Sequence, residues 1–247
     1  ENFGVTCKTG YCVDSFGHNG NLPQLLRQSG MENYVFMRPN LIENPNLPAL
    51  FAWYSPDGSS VLAYRITEQN YNNSGSDLKT DLDKNVENAE KFGHDMMCFY
   101  GVGNHGGGPT RALIRQIKEL MAEGYDIRFG SVDGYFARMR AESKNIGEHR
   151  GDLQHHAIGC YSVSGFIKRL ERAAERELSK AERLSVMAER LLGIPCGQER
   201  FEHAYKEVLF NTFHDIMGGC SIRKGLEDEA DSYRGAIAAA RKIKEFY

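Results

Sequence analysis

The stretch from Phe166 to Leu192 constrains the fold most, because it contains no Gly or Pro. Apolar residues recur in it every three to four positions, which is the pattern of a long amphipathic helix. Gly193 and Pro195 end this pattern. The same rhythm returns in Gln198–His214 and in Leu226–Phe246, so the C-terminal part of the chain is predicted to be a three-helix bundle.

Short apolar runs alternate with helical patterns in the first part of the chain, which is typical of βαβ units. The predicted strands are Tyr34–Met37, Leu50–Tyr54, Ser60–Ile66, Met96–Tyr100 and Asp126–Phe129, after a first strand through Phe3, Val5 and Cys7. The predicted helices are Leu22–Gly30, Leu82–Phe92, Thr110–Glu123 and Gly134–Arg140. The expected fold class is α/β, with a largely parallel sheet or an incomplete β/α barrel, followed by the helical bundle. We place the domain boundary so that residues 1–158 and 159–247 form separate domains.

Composition excludes some classes of function. Of the 247 residues, 41% are hydrophobic and 26% are charged, as in an ordinary globular protein. The net charge of −3 opposes nucleic-acid and anionic-membrane binding, and no apolar run approaches the roughly 20 residues that span a bilayer. Six scattered cysteines without CxxC pairs predict reduced, mostly buried thiols, which favours a cytoplasmic protein.

Two polar residues follow predicted strands directly. Asp14 stands where the first strand becomes a loop, and Arg38 follows Tyr34–Met37. Ligands gather at the carboxyl ends of strands in α/β sheets, so both residues are candidates for chemistry. On the pattern alone, Asp14 could equally cap the next helix, His18 could fill a polar gap, and Arg38 could be a structural arginine.

The glycine-rich loop at residues 101–106 matches the GxGxxG spacing of nucleotide-binding loops. The fuller pattern requires an acidic residue at the end of the next strand, whereas Asp126 lies at its start. No phosphate-binding lysine follows the loop either. The spacing alone is therefore weak support for a nucleotide site.

Residues 12–18 (CVDSFGH) and 213–219 (FHDIMGG) together resemble the α-mannosidases of glycoside hydrolase family 38, bacterial type. The resemblance continues in order through residues 36–40 (FMRPN), 55–59 (SPDGS), 100–109 (YGVGNHGGGP) and 159–162 (GCYS). It therefore covers nearly the whole chain. It implies most of the catalytic α/β domain followed by the helical middle domain.

The resemblance also implies a role for each matching residue. Asp14 would be the nucleophile of a retaining reaction and, with His214, a ligand of Zn²⁺. Asp215 would hydrogen-bond sugar hydroxyls, and Phe16 would pack beside the sugar. Arg38 would contact the substrate or orient Asp14.

Two departures from the family pattern matter. The family has a further metal-binding His and Asp pair on its first strand, and nothing before Asp14 supplies it. We therefore expect a fragment that lacks this strand and the C-terminal β domains. Many members carry an aspartate in the glycine-rich loop where this chain has Asn104 and then His105. Because asparagine is no proton donor, His105 becomes a candidate acid/base, and a carboxylate elsewhere stays an alternative.

The resemblance thus predicts a retaining, zinc-dependent α-mannosidase that cleaves terminal α-mannosides through a covalent glycosyl-enzyme. The alternative is a non-catalytic carbohydrate-binding or scaffold fragment of such a protein. The expected partner is an α-mannoside or a mannose-containing oligosaccharide, with no nucleic acid and no membrane. A homo-oligomer of the intact protein is compatible with the sequence.

Overall fold

The computed structural model describes residues 4–67, 70–73, 77–103, 106–142 and 146–247. The chain divides into two compact units, Glu1–His156 and Ala157–Tyr247. Each unit has its own hydrophobic core.

A five-stranded sheet organises the first unit. Its strands are β1 (Thr9–Cys12), β2 (Asn33–Phe36), β3 (Leu50–Tyr54), β4 (Ser60–Arg65) and β5 (Gly147–Arg150), in the spatial order β1-β2-β4-β3-β5. The β1/β2, β2/β4 and β3/β5 pairs are parallel, and the β3/β4 hairpin is antiparallel. The predicted α/β class with a largely parallel sheet is confirmed.

Apolar side chains cover both faces of this sheet, as expected for strands buried between layers. Tyr34 and Phe36 of β2 pack with Trp53 on one face, and Val35 packs with Phe136 on the other. The helices of the unit are α1 (Leu22–Gln28), α2 (Leu78–Phe92), α3 (Arg111–Ala122) and α4 (Val132–Glu142).

Helix α2 begins four residues earlier than the apolar rhythm predicts. The Asp77 carboxylate accepts a hydrogen bond from the Thr80 N–H and caps the helix. Thr110 caps α3 in the same way by accepting from the Leu113 N–H. These caps satisfy backbone donors that a first helical turn leaves without partners.

Three strand predictions are wrong. Met96–Tyr100 and Asp126–Phe129 form no strand with any part of the chain that the structure describes. The Tyr64 hydroxyl accepts from the Met97 N–H at 3.0 Å, so this apolar run is held by a side chain and by packing. The first strand is β1, whereas residues 4–8 are exposed and Phe3 lies outside the described residues.

The second unit is helical. It contains a 3-10 helix at Ile158–Ser162 and the helices α5 (Gly165–Leu192), α6 (Gln198–Asn211), α7 (His214–Met217) and α8 (Arg223–Phe246). Its core residues include Leu178, Val208 and Tyr233, one each from α5, α6 and α8. The three long helices form the predicted bundle.

Helix α6 ends at Asn211, not at His214 as predicted. The Asn211 amide donates to the Glu207 carbonyl oxygen and the Ser232 hydroxyl. Phe213 is extended, with φ −72° and ψ 146°, and His214 begins the separate short helix α7.

None of the helices in the described ranges is both long and apolar enough to cross a membrane. All six cysteines are thiols, and none of them is buried. The prediction of mostly buried thiols is therefore wrong.

Candidate active site

The register of the sheet brings Asp14 and Arg38 together. The parallel strands β1 and β2 pair Cys12 with Phe36, and each of the two candidates follows its strand by two residues. Arg38 Nε donates to Asp14 Oδ1 at 3.0 Å, and Nη2 lies 2.8 Å from the same oxygen. The two side chains are 25–26% exposed, so the carboxylate is ion-paired and still reachable from solvent.

Tyr71 approaches the other oxygen of the same carboxylate. Its hydroxyl donates to Asp14 Oδ2 at 3.4 Å, which is a long contact. Arg38 and Tyr71 therefore act on different oxygens of Asp14, and together they restrict the rotation of the carboxylate.

Phe16 lies beside this ion pair, as a half-buried side chain. Its ring centroid is 5.6 Å from Arg38 Cζ and 5.4 Å from the centroid of the His156 ring. The aromatic ring thus gives the site an apolar side next to its charged one, a combination that suits a sugar ring with its hydroxyls.

His18 holds the backbone of Arg38 through a hydrogen bond. Its Nε2 lies 3.0 Å from the Arg38 carbonyl oxygen, and the Tyr34 hydroxyl is 2.9 Å from Nδ1. Since a carbonyl only accepts, Nε2 carries the proton and Nδ1 accepts from Tyr34. Burial lowers the pKa of His18 to about 4, so the ring is neutral at pH 7. His18 therefore fills a polar gap, which is the structural role that the sequence analysis gave as an alternative.

Gly17 has a packing reason to be glycine. A Cβ at this position would lie 3.0 Å from Gln154 Cα. This neighbour is a backbone atom, which cannot move aside as the end of a flexible side chain can. The glycine therefore lets the loop that carries Asp14 and Phe16 pass close to a neighbouring segment.

The second unit carries the other two candidates on α7. The Phe213 and His214 rings have centroids 4.2 Å apart, and His214 Nε2 lies 3.7 Å from Asp215 Oδ1. The side chains of His214 and Asp215 are 33% and 52% exposed. Both are therefore presented at the surface of their unit.

Asn104 and His105, the acid/base candidate, lie outside the described residues. The neighbouring glycines of this loop have packing reasons for their small size. A Cβ on Gly103 would lie 2.7 Å from the Asn72 side chain, and one on Gly101 would lie 2.9 Å from the Gly108 carbonyl carbon. Close packing thus accounts for these glycines without a nucleotide.

Sequence reasoning missed Glu43 and His156. His156 Nε2 lies 3.1 Å from Arg38 Nη1, and His156 Nδ1 makes a short contact with Glu43 Oε1. The sequence offers only a His155-His156 doublet and a single acidic residue in an Asn-rich loop, and neither has a diagnostic spacing.

The donor types at these sites fit zinc in part. Zinc takes carboxylate oxygen and imidazole nitrogen, which Asp14 and His214 offer. A catalytic zinc normally has three protein ligands, and the described residues contain no group of three or more His, Cys, Asp or Glu placed to hold an ion. Asp14 in the first unit and His214 in the second therefore each offer a donor type that zinc accepts.

Two family models match the chain and together span almost all of it. The model described as "Glycosyl hydrolases family 38 N-terminal domain" matches residues 1–158. The model described as "Alpha mannosidase middle domain" matches residues 154–246. The chain belongs to glycosyl hydrolase family 38.

Curated relatives of this family 38 chain carry α-mannosidase names. It is 28% identical over 250 residues to "Alpha-mannosidase G" of Dictyostelium discoideum, covering 98% of this chain and 23% of the relative. It is 27% identical over 241 residues to "Alpha-mannosidase 2C1" of Homo sapiens, covering 94% and 23%. The chain thus spans about a quarter of the length of these relatives.

A solved structure shares the fold of this family 38 chain. An α-mannosidase from Enterococcus faecalis V583 superposes with a TM-score of 0.80 at 19% identity. The match covers 99% of this chain and 30% of the solved one.

Proposed function

We propose that this chain carries part of the active site of a retaining, zinc-dependent α-mannosidase that hydrolyses terminal α-mannosides. The observation that carries the proposal is the Asp14–Arg38 ion pair at the carboxyl ends of two parallel strands. The relatives named α-mannosidase support the choice of substrate.

Asp14 would act as the nucleophile. Its carboxylate attacks the anomeric carbon of the mannoside while the general acid protonates the departing oxygen, which gives a covalent glycosyl-enzyme and an alcohol. Water then attacks the same carbon, gives its proton to the general base, and releases mannose and the free carboxylate. Each step inverts the anomeric configuration, so the net outcome is retention.

Arg38 would orient the nucleophile, since two of its nitrogens contact one oxygen of Asp14. Phe16 would pack against the sugar ring, and Asp215 would accept hydrogen bonds from sugar hydroxyls. The general acid/base stays a prediction at His105. The predictions of a cytoplasmic location and a homo-oligomer likewise stay predictions.

Asp14 and His214 would be zinc ligands contributed by this chain. When bound, zinc supplies Lewis-acid contacts to sugar hydroxyls that favour distortion of the ring toward the transition state. The resemblance to the family implies further ligands beyond these two residues.

Hydrolysis of 4-nitrophenyl α-D-mannopyranoside by the full-length gene product tests the activity. We expect cleavage, with α-mannose as the first anomer seen by proton NMR. Asp14→Asn keeps the shape and removes the nucleophile, and should lower kcat roughly 1,000-fold or more. If β-mannose appears first, or if the variant keeps wild-type activity, the nucleophile assignment is wrong. No cleavage of any α-mannoside would favour the non-catalytic carbohydrate-binding alternative.

Zinc content per molecule of full-length protein tests the cofactor. We expect bound zinc in the wild type and its loss in His214→Ala. His203→Ala is the matched control, because His203 is an exposed histidine on α6. Equal zinc in all three proteins would refute the ligand role of His214.

A further inference from the structure

Arg38 contacts a second side chain besides Asp14, namely His156. While Nε and Nη2 contact Asp14, Nη1 lies 3.1 Å from His156 Nε2. All three guanidinium nitrogens thus have a partner. The Arg38 carbonyl oxygen also accepts a hydrogen bond from His18, so both the backbone and the guanidinium of Arg38 are held in place.

The direction of these hydrogen bonds fixes the tautomer of His156. A guanidinium has N–H donors and no acceptor, so His156 Nε2 must accept from Arg38 Nη1. The ring proton is therefore on Nδ1, which faces Glu43 Oε1 and donates to it. His156 thus accepts a hydrogen bond at Nε2 and donates one at Nδ1.

Glu43 is itself held in place. Its other oxygen, Oε2, accepts from the Asn40 N–H at 2.9 Å. Partial burial acts to raise the pKa of Glu43, but the hydrogen bonds from Asn40 and His156, together with charge interactions that include the Arg38 cation, outweigh it and lower that pKa. The carboxylate is therefore a fixed, ionised acceptor for His156 at neutral pH.

The pair is sheltered enough for these bonds to act. The His156 and Glu43 side chains are 21% and 22% exposed, and the Phe16 ring lies edge-on to the His156 ring. Hydrogen bonds thus link Asp14, Arg38, His156 and Glu43. Arg38 donates to Asp14 and to His156, and His156 donates to Glu43.

We propose that His156, held in its Nδ1–H tautomer by Glu43, is a positioning residue that fixes the Arg38 guanidinium against Asp14. The contacts stand by themselves, and only their catalytic consequence rests on the proposed function. Replacing a residue that orients a metal ligand typically lowers activity about 10–100-fold. We expect an effect of about the same size for a residue that orients Arg38.

Two substitutions separate hydrogen bonding from space filling. His156→Gln keeps an acceptor for Arg38 and a donor for Glu43 in one amide group. His156→Leu fills a similar volume and offers neither. His155→Ala is the matched control, because His155 is the exposed neighbour in the same doublet.

NMR of the 247-residue chain provides a readout that needs no activity. Long-range proton–nitrogen spectra should show the Nδ1–H tautomer for His156. Solvent exchange of the Arg38 Nε–H should be about 10-fold faster in His156→Leu, and near the wild-type rate in His156→Gln and His155→Ala, because only leucine lacks the acceptor. An Nε2–H tautomer, or wild-type exchange in a folded His156→Leu, would overturn the proposal.

Kinetics of the full-length gene product on the nitrophenyl mannoside give the catalytic consequence. We expect kcat to fall roughly 10–100-fold in His156→Leu with KM changed less than threefold, partial rescue by glutamine, and no change in His155→Ala. Wild-type kcat in a folded His156→Leu would overturn the role. If the wild type cleaves no mannoside, the proposed function fails, while the exchange measurement still decides the positioning role.

Discussion

Arg38 directs two nitrogens at a single oxygen of Asp14, with Nε at 3.0 Å and Nη2 at 2.8 Å. This is a fork on one acceptor atom, and a single ammonium cannot reproduce it. The geometry depends on β1 and β2 being parallel and in register, since Cys12 pairs with Phe36.

Arg38→Lys should therefore keep the positive charge beside Asp14 but no longer orient the Asp14 carboxylate. We expect kcat/KM of the full-length gene product on the nitrophenyl mannoside to fall roughly 10–100-fold. Arg27→Lys on α1, where the arginine is exposed, should leave kcat/KM unchanged. Wild-type activity in Arg38→Lys would show that a point charge is sufficient.

His18 should make the first unit less stable in acid. Burial lowers its pKa from 6.5 to about 4, so the unfolded chain takes up the proton before the folded one does. Its contribution is complete above pH 6.5 and is lost progressively as the pH falls to about 4. By pH 5 the loss should be about 2 kcal/mol in the free energy of unfolding, measured with urea.

His18→Gln should remove this part of the pH dependence between pH 7.5 and 5. His155→Gln, which replaces an exposed histidine of the same unit, should retain it. An unchanged pH dependence in His18→Gln would mean that other groups cause the acid loss.

Arg65 should hold together the loop that carries Glu43. Its buried Nη1 donates to the carbonyl oxygens of Asn40 at 3.2 Å and Asn44 at 2.8 Å, and Nη2 donates to that of Leu47. Burial lowers the pKa of Arg65 to about 10, so the side chain stays charged at pH 7.

Arg65→Met leaves these carbonyls without their donor, and we expect a loss of about 3 kcal/mol in the free energy of unfolding. Arg140→Met, at an exposed arginine, should change it by less than about 0.5 kcal/mol. Equal effects of the two substitutions in urea titrations would refute this role.

Two thiols of the second unit should form a disulfide under mild oxidation. Cys160 and Cys220 have their Sγ atoms 4.0 Å apart, within reach of a bond after small side-chain rotations. With oxidised glutathione the two thiols lose two hydrogens to the glutathione disulfide, which is reduced. The cross-link closes a loop of about 60 residues and should stabilise the unit by up to about 4 kcal/mol.

Peptide mass mapping after oxidation checks this pairing. Cys220→Ser should lose both the cross-link and the oxidation-dependent rise in Tm, whereas Cys98→Ser should keep them. A disulfide between any other two cysteines would contradict the expectation.

Local signals explain which parts of the first unit could be predicted. The β3–β4 hairpin follows from the turn at Asp57-Gly58, and buried β2 follows from its continuous apolar run. Strand β5 (GEHR) has no apolar run and exists because it pairs with β3, about 95 residues earlier. Met96–Tyr100 has such a run, but its side chains pack on the core without a strand partner in the described residues.

The candidate site divides in the same way. Asp14 and Arg38 could be proposed from the sequence because both lie in motifs that resemble family 38, and Arg38 also follows a continuous apolar run directly. The contact between His156 and Glu43 joins residues 113 positions apart and has no periodic signature, so only the fold reveals it.

Trapping of the glycosyl-enzyme would identify the residue that carries the sugar and so test the role of Asp14 as nucleophile. A fluorinated mannosyl fluoride that forms the glycosyl-enzyme quickly and hydrolyses slowly would be incubated with the full-length gene product, and the peptides analysed by mass spectrometry. We expect one mannosyl adduct, on Asp14. An adduct on another carboxylate, or turnover of α-mannosides without any adduct, would contradict it.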